Sequence, residues 1–421
     1  MQTFTSTQTI NRVILNNGIT LISIENPTAD IIASRIFIKA AGSSSNLSEQ
    51  AGISHLIAAT MTKGCKDLSS QDIAERVESI GASLGASAAS DYFLINIKTV
   101  TGDFPQMLQL ASDMLRSPTF PEKEVKLEKY LTKQNIKSQL EQPFNVAYEG
   151  LSKILYPNHP YGISTLGTLE TIENLSREDL QTYHQNYFRP DRLVITICGR
   201  ITHNQAIDLV REVFDDWQAP EDSTSFLSLP QIDSNPDRVV IPQESQQSII
   251  MLGYLGVSVS DRDYAPLKLL STYLGNGLSS RLFVELREKL GLAYDVSAFF
   301  PTRLDRAALI AYIGTAPKNN EIALNKLREE IDRLSATKLT PEELQAAKNK
   351  LLGQYALGKQ TNAEIAHTFG WYQTLGKGIE FDTEFQENIK QVTSEMAQEV
   401  ARKYLQQPCI SIVGSGNIPE S

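Results

Sequence analysis

The chain repeats itself. Ser176-x-Glu178 leads to Tyr187, Pro190, Ile195, Ile197 and Gly199, and Ser394-Glu395 leads to Tyr404, Pro408, Ile410, Ile412 and Gly414. Pro121-Glu122-Lys123-Glu124 has its echo in Pro341-Glu342-Glu343-Leu344. The offsets are 217 (Tyr187 to Tyr404), 218 (Pro190 to Pro408) and 220 (Pro121 to Pro341). Landmarks at one nearly constant offset predict a duplicated domain. A chain of 421 residues is long enough for two copies, each with its own core. Between the copies, residues 218–236 carry Pro220, Pro230, Pro236 and a Ser-Thr-Ser run and read as a linker, dividing the chain into 1–217 and 237–421.

Local patterns give the elements of each copy. Residues 12–24 read as a hairpin turning at Asn17-Gly18, and 31–39 as a strand. Ser69-Ser70-Gln71-Asp72 opens a helix carrying Ile73, Val77 and Ile80, which Gly81 ends. Residues 92–100 alternate as a strand and 104–115 are helical. Pro121 starts a long charged helix to about 140. Helices at 176–187 and 203–214 flank a strand at 193–198. Hairpins and strands mixed with long helices give an α+β fold rather than a doubly wound sheet.

Composition narrows the function. A net charge of -10 argues against nucleic-acid or anionic-membrane partners, both of which need a basic face. No apolar run approaches the roughly 20 residues that span a bilayer. Residues 1–10 lack the apolar core of a signal peptide, so the cytoplasm is the expected location. Cys65, Cys198 and Cys409 are too few and scattered for a disulfide framework, and Cys198 and Cys409 read as small buried hydrophobes. Of the five histidines (His55, His159, His184, His203, His367), no two lie three to five residues apart, so no local metal spacing exists. Gly275-Asn276-Gly277 is too short for a phosphate loop and lacks its lysine.

The stretch 278–300 carries the chemistry. Ser279 or Ser280 can cap a helix whose apolar stripe is Leu282, Phe283, Leu286 and Leu290. Arg281, Glu285 and Lys289 alternate in sign four residues apart along a solvated edge. Gly291 stops the helix, and the chain continues extended through Tyr294 and Val296. Arg287 leaves the last helical turn, seven residues before Tyr294. The segment resembles the C-terminal arginine/tyrosine motif of the pitrilysin/insulinase-like zinc peptidases, the family of the mitochondrial processing peptidase with its small bacterial members. There it reads much like SSRL-x-x-x-LRE-x-x-GLAY. The resemblance covers nearly the whole chain and implies two homologous α+β domains, each an antiparallel sheet packed with helices. It also implies that Arg287 and Tyr294 bind the substrate backbone and stabilise the scissile carbonyl.

In that family zinc is held by an inverted H-x-x-E-H motif on a helix of the first domain. The matching stretch here is Gly52-Ile53-Ser54-His55-Leu56-Ile57-Ala58-Ala59. The first histidine survives as His55, Ala58 stands where the general base belongs, and Ala59 replaces the second histidine. The third ligand position falls on Asn135, while Glu128 matches an outer acidic position. One imidazole does not make a tetrahedral protein zinc site, so no metal is expected in this chain. Some members of that family are pairs in which one subunit carries the zinc motif and the other the arginine and tyrosine, which makes a zinc-bearing homologue and unfolded peptides the expected partners here. The resemblance therefore implies a non-catalytic subunit that projects Arg287 and Tyr294 into its partner's zinc site, with a homodimer expected when the chain is alone. The two rival readings are a structural or peptide-binding homologue without an enzymatic partner and an enzyme using an unrecognised site of its own.

Overall fold

The Asn17-Gly18 turn forms: Gly18 takes φ +89°, the left-handed region that a tight hairpin turn requires. It joins β1 (Ile10–Ile14) to β2 (Thr20–Glu25) in antiparallel register. The computed structural model describes residues 9–220, 229–233 and 235–415. They fold into two α+β units. Unit 1 comprises Met1–Gln134, Ser164–Ser228 and Leu357–Phe381, and unit 2 comprises Asn135–Ile163, Leu229–Ala356 and Asp382–Ser421.

In unit 1, β3 (Ile31–Lys39), β6 (Ser83–Ala88), β7 (Tyr92–Val100) and β8 (Leu193–Gly199) complete a sheet of order β1-β2-β8-β3-β7-β6. A separate two-stranded ribbon pairs β4 (Gly64–Cys65) with β5 (Leu68–Ser69). In unit 2, β9 (Arg238–Pro242), β10 (Ser248–Leu255), β11 (Asp295–Phe299), β12 (Ala308–Thr315) and β13 (Cys409–Gly414) form a sheet of order β11-β12-β10-β13-β9. Reversed, that order is β9-β13-β10-β12-β11, which corresponds strand for strand to β2-β8-β3-β7-β6. The directions agree as well. One parallel pair in each sheet (β2 with β8, β9 with β13) is followed by antiparallel pairs only. The duplication is therefore real at the level of topology, and each sheet is mixed rather than purely antiparallel.

Neither unit is a contiguous half of the chain. Helix Asn362–Thr374, capped by the reciprocal Thr361/Glu364 bonds, lays Ile365, Ala366 and Phe369 against Ile22, Ile24, Phe37, Val194 and Cys198 of unit 1. Helix Pro143–Leu155 lays Ala147, Leu151 and Leu155 against Ile249, Met251, Cys409 and Val413 of unit 2. Each helix approaches its sheet through a glycine. A Cβ at Gly150 would meet Ile241 at 3.0 Å and Ser411 at 3.1 Å, and one at Gly370 would press on Phe37 and Thr196. Gly150 and Gly370 are 220 residues apart, the repeat offset itself. The duplicated helices have thus exchanged sheets. Much of the 218–236 segment (221–228 and 234) lies outside the described residues. Of its described part, Ile232 is buried in the unit 2 core and its carbonyl accepts from Arg306 at 3.2 Å, while Gln231 and Asp233 on either side are exposed.

Several local expectations hold. Ser69 caps helix Ser70–Glu78 in a capping box with Asp72, and Gly81 follows at φ +63°. Ser176 caps Arg177–Tyr187 in the same way. All three cysteines are buried free thiols, and burial pushes the Cys198 pKa up to about 12. His159 is structural, its Nδ1 accepting the Tyr161 N–H at 3.1 Å. His184 is also structural, with Nε2 bonded to the Leu115 carbonyl at 2.7 Å and its ring stacked on Phe188.

Burial lowers the His184 pKa to about 4, whereas the unfolded imidazole titrates near 6.5. The folded state thus binds this proton less readily than the unfolded chain. Stability is fully present above about pH 6.5, declines as pH falls toward 4, and levels off below. The expected loss from this residue is about 3 kcal/mol, at 1.36 kcal/mol per unit. Urea unfolding at pH 7 and pH 4 measures it, and His184→Gln, which keeps a donor for Leu115, shows a correspondingly smaller difference between the two.

Candidate functional site

The residues singled out by sequence lie on the helix that follows Gly52, on helix Glu122–Leu140, which runs from unit 1 into unit 2, and on residues 278–300 of unit 2. In unit 1, Gly52 at φ +93° starts helix Ile53–Thr60 in close contact with the Leu166 carbonyl. Ile53, Leu56, Ile57 and Met61 form its fully buried face. Ser54 anchors the helix, donating to Asn46 Oδ1 at 2.9 Å and lying 3.1 Å from the buried Tyr183 hydroxyl. His55, Ala58 and Ala59, at i, i+3 and i+4, share another face. His55 is half-buried, and desolvation holds its pKa below the ordinary imidazole range, so it is a neutral ring at pH 7. Asn135 is exposed on helix Glu122–Leu140. Glu128, on the same helix, pairs with Lys63 at 3.5 Å.

This donor set does not fit zinc. His55 offers one nitrogen, Ala58 and Ala59 offer methyl groups, and Asn135 has only a neutral amide. Among the described residues no group of three His, Cys, Asp or Glu could hold a metal ion. The Glu128 carboxylate is engaged by an ammonium instead.

In unit 2, residues 281–282 are α-helical and Phe283–Lys289 form a π-helix, where sequence predicts an ordinary α-helix. A π turn holds more residues than the 3.6 of an α turn, so the apolar stripe drifts: Leu282 and Leu286 are fully buried while Leu290 is 50% exposed. Gly291 does terminate the helix, in the left-handed region at φ +61°. Its N–H bonds to the Arg287 carbonyl (3.1 Å) and the next N–H, of Leu292, reaches back to Leu286 (2.9 Å). The charged edge forms, but half-buried. Glu285 accepts from Arg281 and Lys289, each at 2.9 Å, and Arg281 also grips Glu330 at 2.6 Å. Neither serine is the expected cap. Ser279 Oγ accepts from Lys350 at 3.3 Å, and the Ser280 hydroxyl has no partner among the described residues. A rare helix type cannot be read from apolar spacing; only the short run between Leu286 and Gly291 hints at it.

Arg287 is exposed, its guanidinium 4.9 Å from the Phe283 ring centroid. Tyr294 is 61% exposed just ahead of β11, and its N–H donates to the Gly314 carbonyl at 2.8 Å. The tyrosine backbone is thus fixed by the β12 ladder while its phenol stays accessible. β11 is an edge strand, as is β6 in the sheet beside helix Ile53–Thr60.

The matching strand orders of the two sheets define the class: an α+β protein whose domain topology is duplicated. A family model described as insulinase (peptidase family M16) matches residues 20–169, and one described as peptidase M16 inactive domain matches residues 174–351. The chain belongs to the M16 peptidase family. It is 29% identical over 413 residues to the uncharacterized zinc protease YmxG of Bacillus subtilis (strain 168), covering 97% of this chain and 100% of the relative. An uncharacterized zinc protease of Streptomyces coelicolor is 25% identical over 413 residues, covering 96% and 90%. Among solved structures, a peptidase M16 inactive domain from Pseudomonas fluorescens matches with TM-score 0.90 and 23% identity over 98% of this chain and 100% of that one. A protease from Helicobacter pylori matches with TM-score 0.90 and 20% identity over 97% and 100%. At these identities the structural likeness shows the fold alone. No helix among the described residues is long and apolar enough to cross a membrane.

Proposed function

We propose that this chain is the zinc-less subunit of a heterodimeric metallo-endopeptidase acting on unfolded peptides in the cytoplasm. The observation that carries the reading is a dismantled metal motif (Ala58, Ala59 and Asn135) in a chain whose Arg287 and Tyr294 are both retained and exposed. A homologous partner with an intact inverted motif supplies metal, water and base. This chain supplies Arg287 to bind the substrate backbone and the Tyr294 hydroxyl to donate toward the oxygen on which charge develops. Extended substrate adds to a sheet edge, a mode in which main-chain bonds give affinity and side-chain pockets give specificity. When the partner is withheld, the chain pairs with itself.

The test is reconstitution. The purified chain carries well under one zinc per monomer by metal analysis, and a chelator leaves its melting temperature unchanged. Peptide cleavage by a zinc-bearing homologue from the same source rises on adding this chain. About one tightly held zinc per monomer, or a homologue indifferent to the addition, overturns the reading.

A further inference from the structure

The two serines that fail to cap the helix line a cavity of about 440 Å³ in unit 2, bounded by helix Tyr264–Gly275, the start of the π-helical segment and helix Pro341–Leu357. That size suits a small molecule. Most of its charged wall is already satisfied. Arg281 is shared between Glu285 and Glu330. Glu343 accepts from the Tyr273 hydroxyl at 2.7 Å, the Thr340 N–H at 2.9 Å and Arg333 at 3.3 Å.

Two lining groups are left over. Ser280 is 2% exposed and its Oγ has no hydrogen-bond partner among the described residues. Lys350 is half-buried, and its bond to the neutral Ser279 hydroxyl provides no counter-charge. Burial holds its pKa below the ordinary lysine range. A buried hydroxyl without a partner and a partly desolvated ammonium with no ion pair among the described residues are both unfavourable, and one acceptor-only group near both relieves both. A carboxylate is such a group: it has about four lone-pair sites and no donor. The apolar wall of Val284, Ala346 and Ala347 suits a short aliphatic chain beside it. Glu285 and Glu343 offer lone pairs to an amide N–H next to the carboxylate, and their charge disfavours a dianion.

We propose that this cavity binds the free C-terminal carboxylate of a short peptide ending in an aliphatic residue, held by Lys350, Ser279 and Ser280. The site lies wholly within this chain and requires neither a metal nor a partner subunit, so it stands apart from the shared-site reading.

Calorimetry on the purified full chain tests it with N-acetyl-leucine as probe. N-acetyl-leucine binds, and its amide binds at least tenfold more weakly. Ser280→Ala and Lys350→Met each weaken binding about tenfold or more. Ser280→Ala removes an unpartnered buried hydroxyl, so the ligand-free variant melts no lower than the parent, and its loss of affinity is not a loss of fold. Absent binding, equal binding of acid and amide, or unaltered affinity in both variants overturns the proposal. So does tighter binding of inorganic phosphate, or equal binding of 4-methylpentanoate, which carries the same chain and carboxylate without the amide.

Discussion

Tyr294→Phe lowers kcat of the reconstituted peptidase about 10²–10³-fold, the loss typical of removing one preorganised donor to a developing oxyanion. Only the hydroxyl is removed, and the side chain that carries it is exposed, so folding is spared. The main-chain bond from Tyr294 to Gly314 is independent of the side chain and still fixes the backbone that carries the ring. Arg287→Ala acts differently. A guanidinium that grips the substrate backbone before and during reaction contributes uniform binding, so its loss raises KM with a smaller change in kcat. Steady-state kinetics on the mixed subunits separate the two, with partner zinc content and subunit pairing measured alongside as controls. If joint activity survives both substitutions, site sharing is wrong, and the chain serves its family as a scaffold.

The largest stability effect is expected at Gly275→Ala. This glycine ends helix Tyr264–Gly275 where it crosses β11, and its carbonyl accepts from Ser297 Oγ at 2.7 Å. An ideal Cβ there would stand 2.5 Å from Ala298 Cα and 2.7 Å from Ala298 O, and closer still to the amide nitrogen. All three are backbone atoms of a paired strand, so no side chain can rotate away, and the helix or the strand must move. The cost is about 3 kcal/mol or more, at the upper end for overpacked sites. Gly291→Ala is the control: a Cβ there meets nothing within 4 Å, and only its φ of +61° is strained. That strain costs about 1–2 kcal/mol. Urea unfolding compares the two, and a Gly275→Ala cost no greater than that of Gly291→Ala would show that the contact yields easily. Because β11 follows Tyr294 directly, Gly275→Ala also diminishes the joint activity, while Gly291→Ala leaves β11 in place.

Residues with strong local chemistry are legible in the sequence alone. Ser69 with Asp72, Ser176 with Asp179, and Asn17-Gly18 form the caps and the turn their side chains dictate. β6 is not legible in sequence because Ser83-Leu84-Gly85-Ala86-Ser87-Ala88 has no β-branched or aromatic residue; it is a strand only because β7 offers it a ladder. The placement of helices Pro143–Leu155 and Asn362–Thr374 is hidden for a related reason: nothing near them in sequence shows which sheet they cover.

By itself the sequence determined the duplication, the α+β class, the family resemblance and the presence of alanine at 58 and 59 beside His55, because each is a matter of residue identity at fixed spacing. Tertiary structure alone decided that the two repeat-related helices trade sheets, that the Arg287 turn is a π-helix, and that Ser280 and Lys350 end up beside one cavity. Those outcomes depend on where distant segments find complementary apolar surface and on which polar groups are left over once they have. No local pattern of residues encodes that remainder.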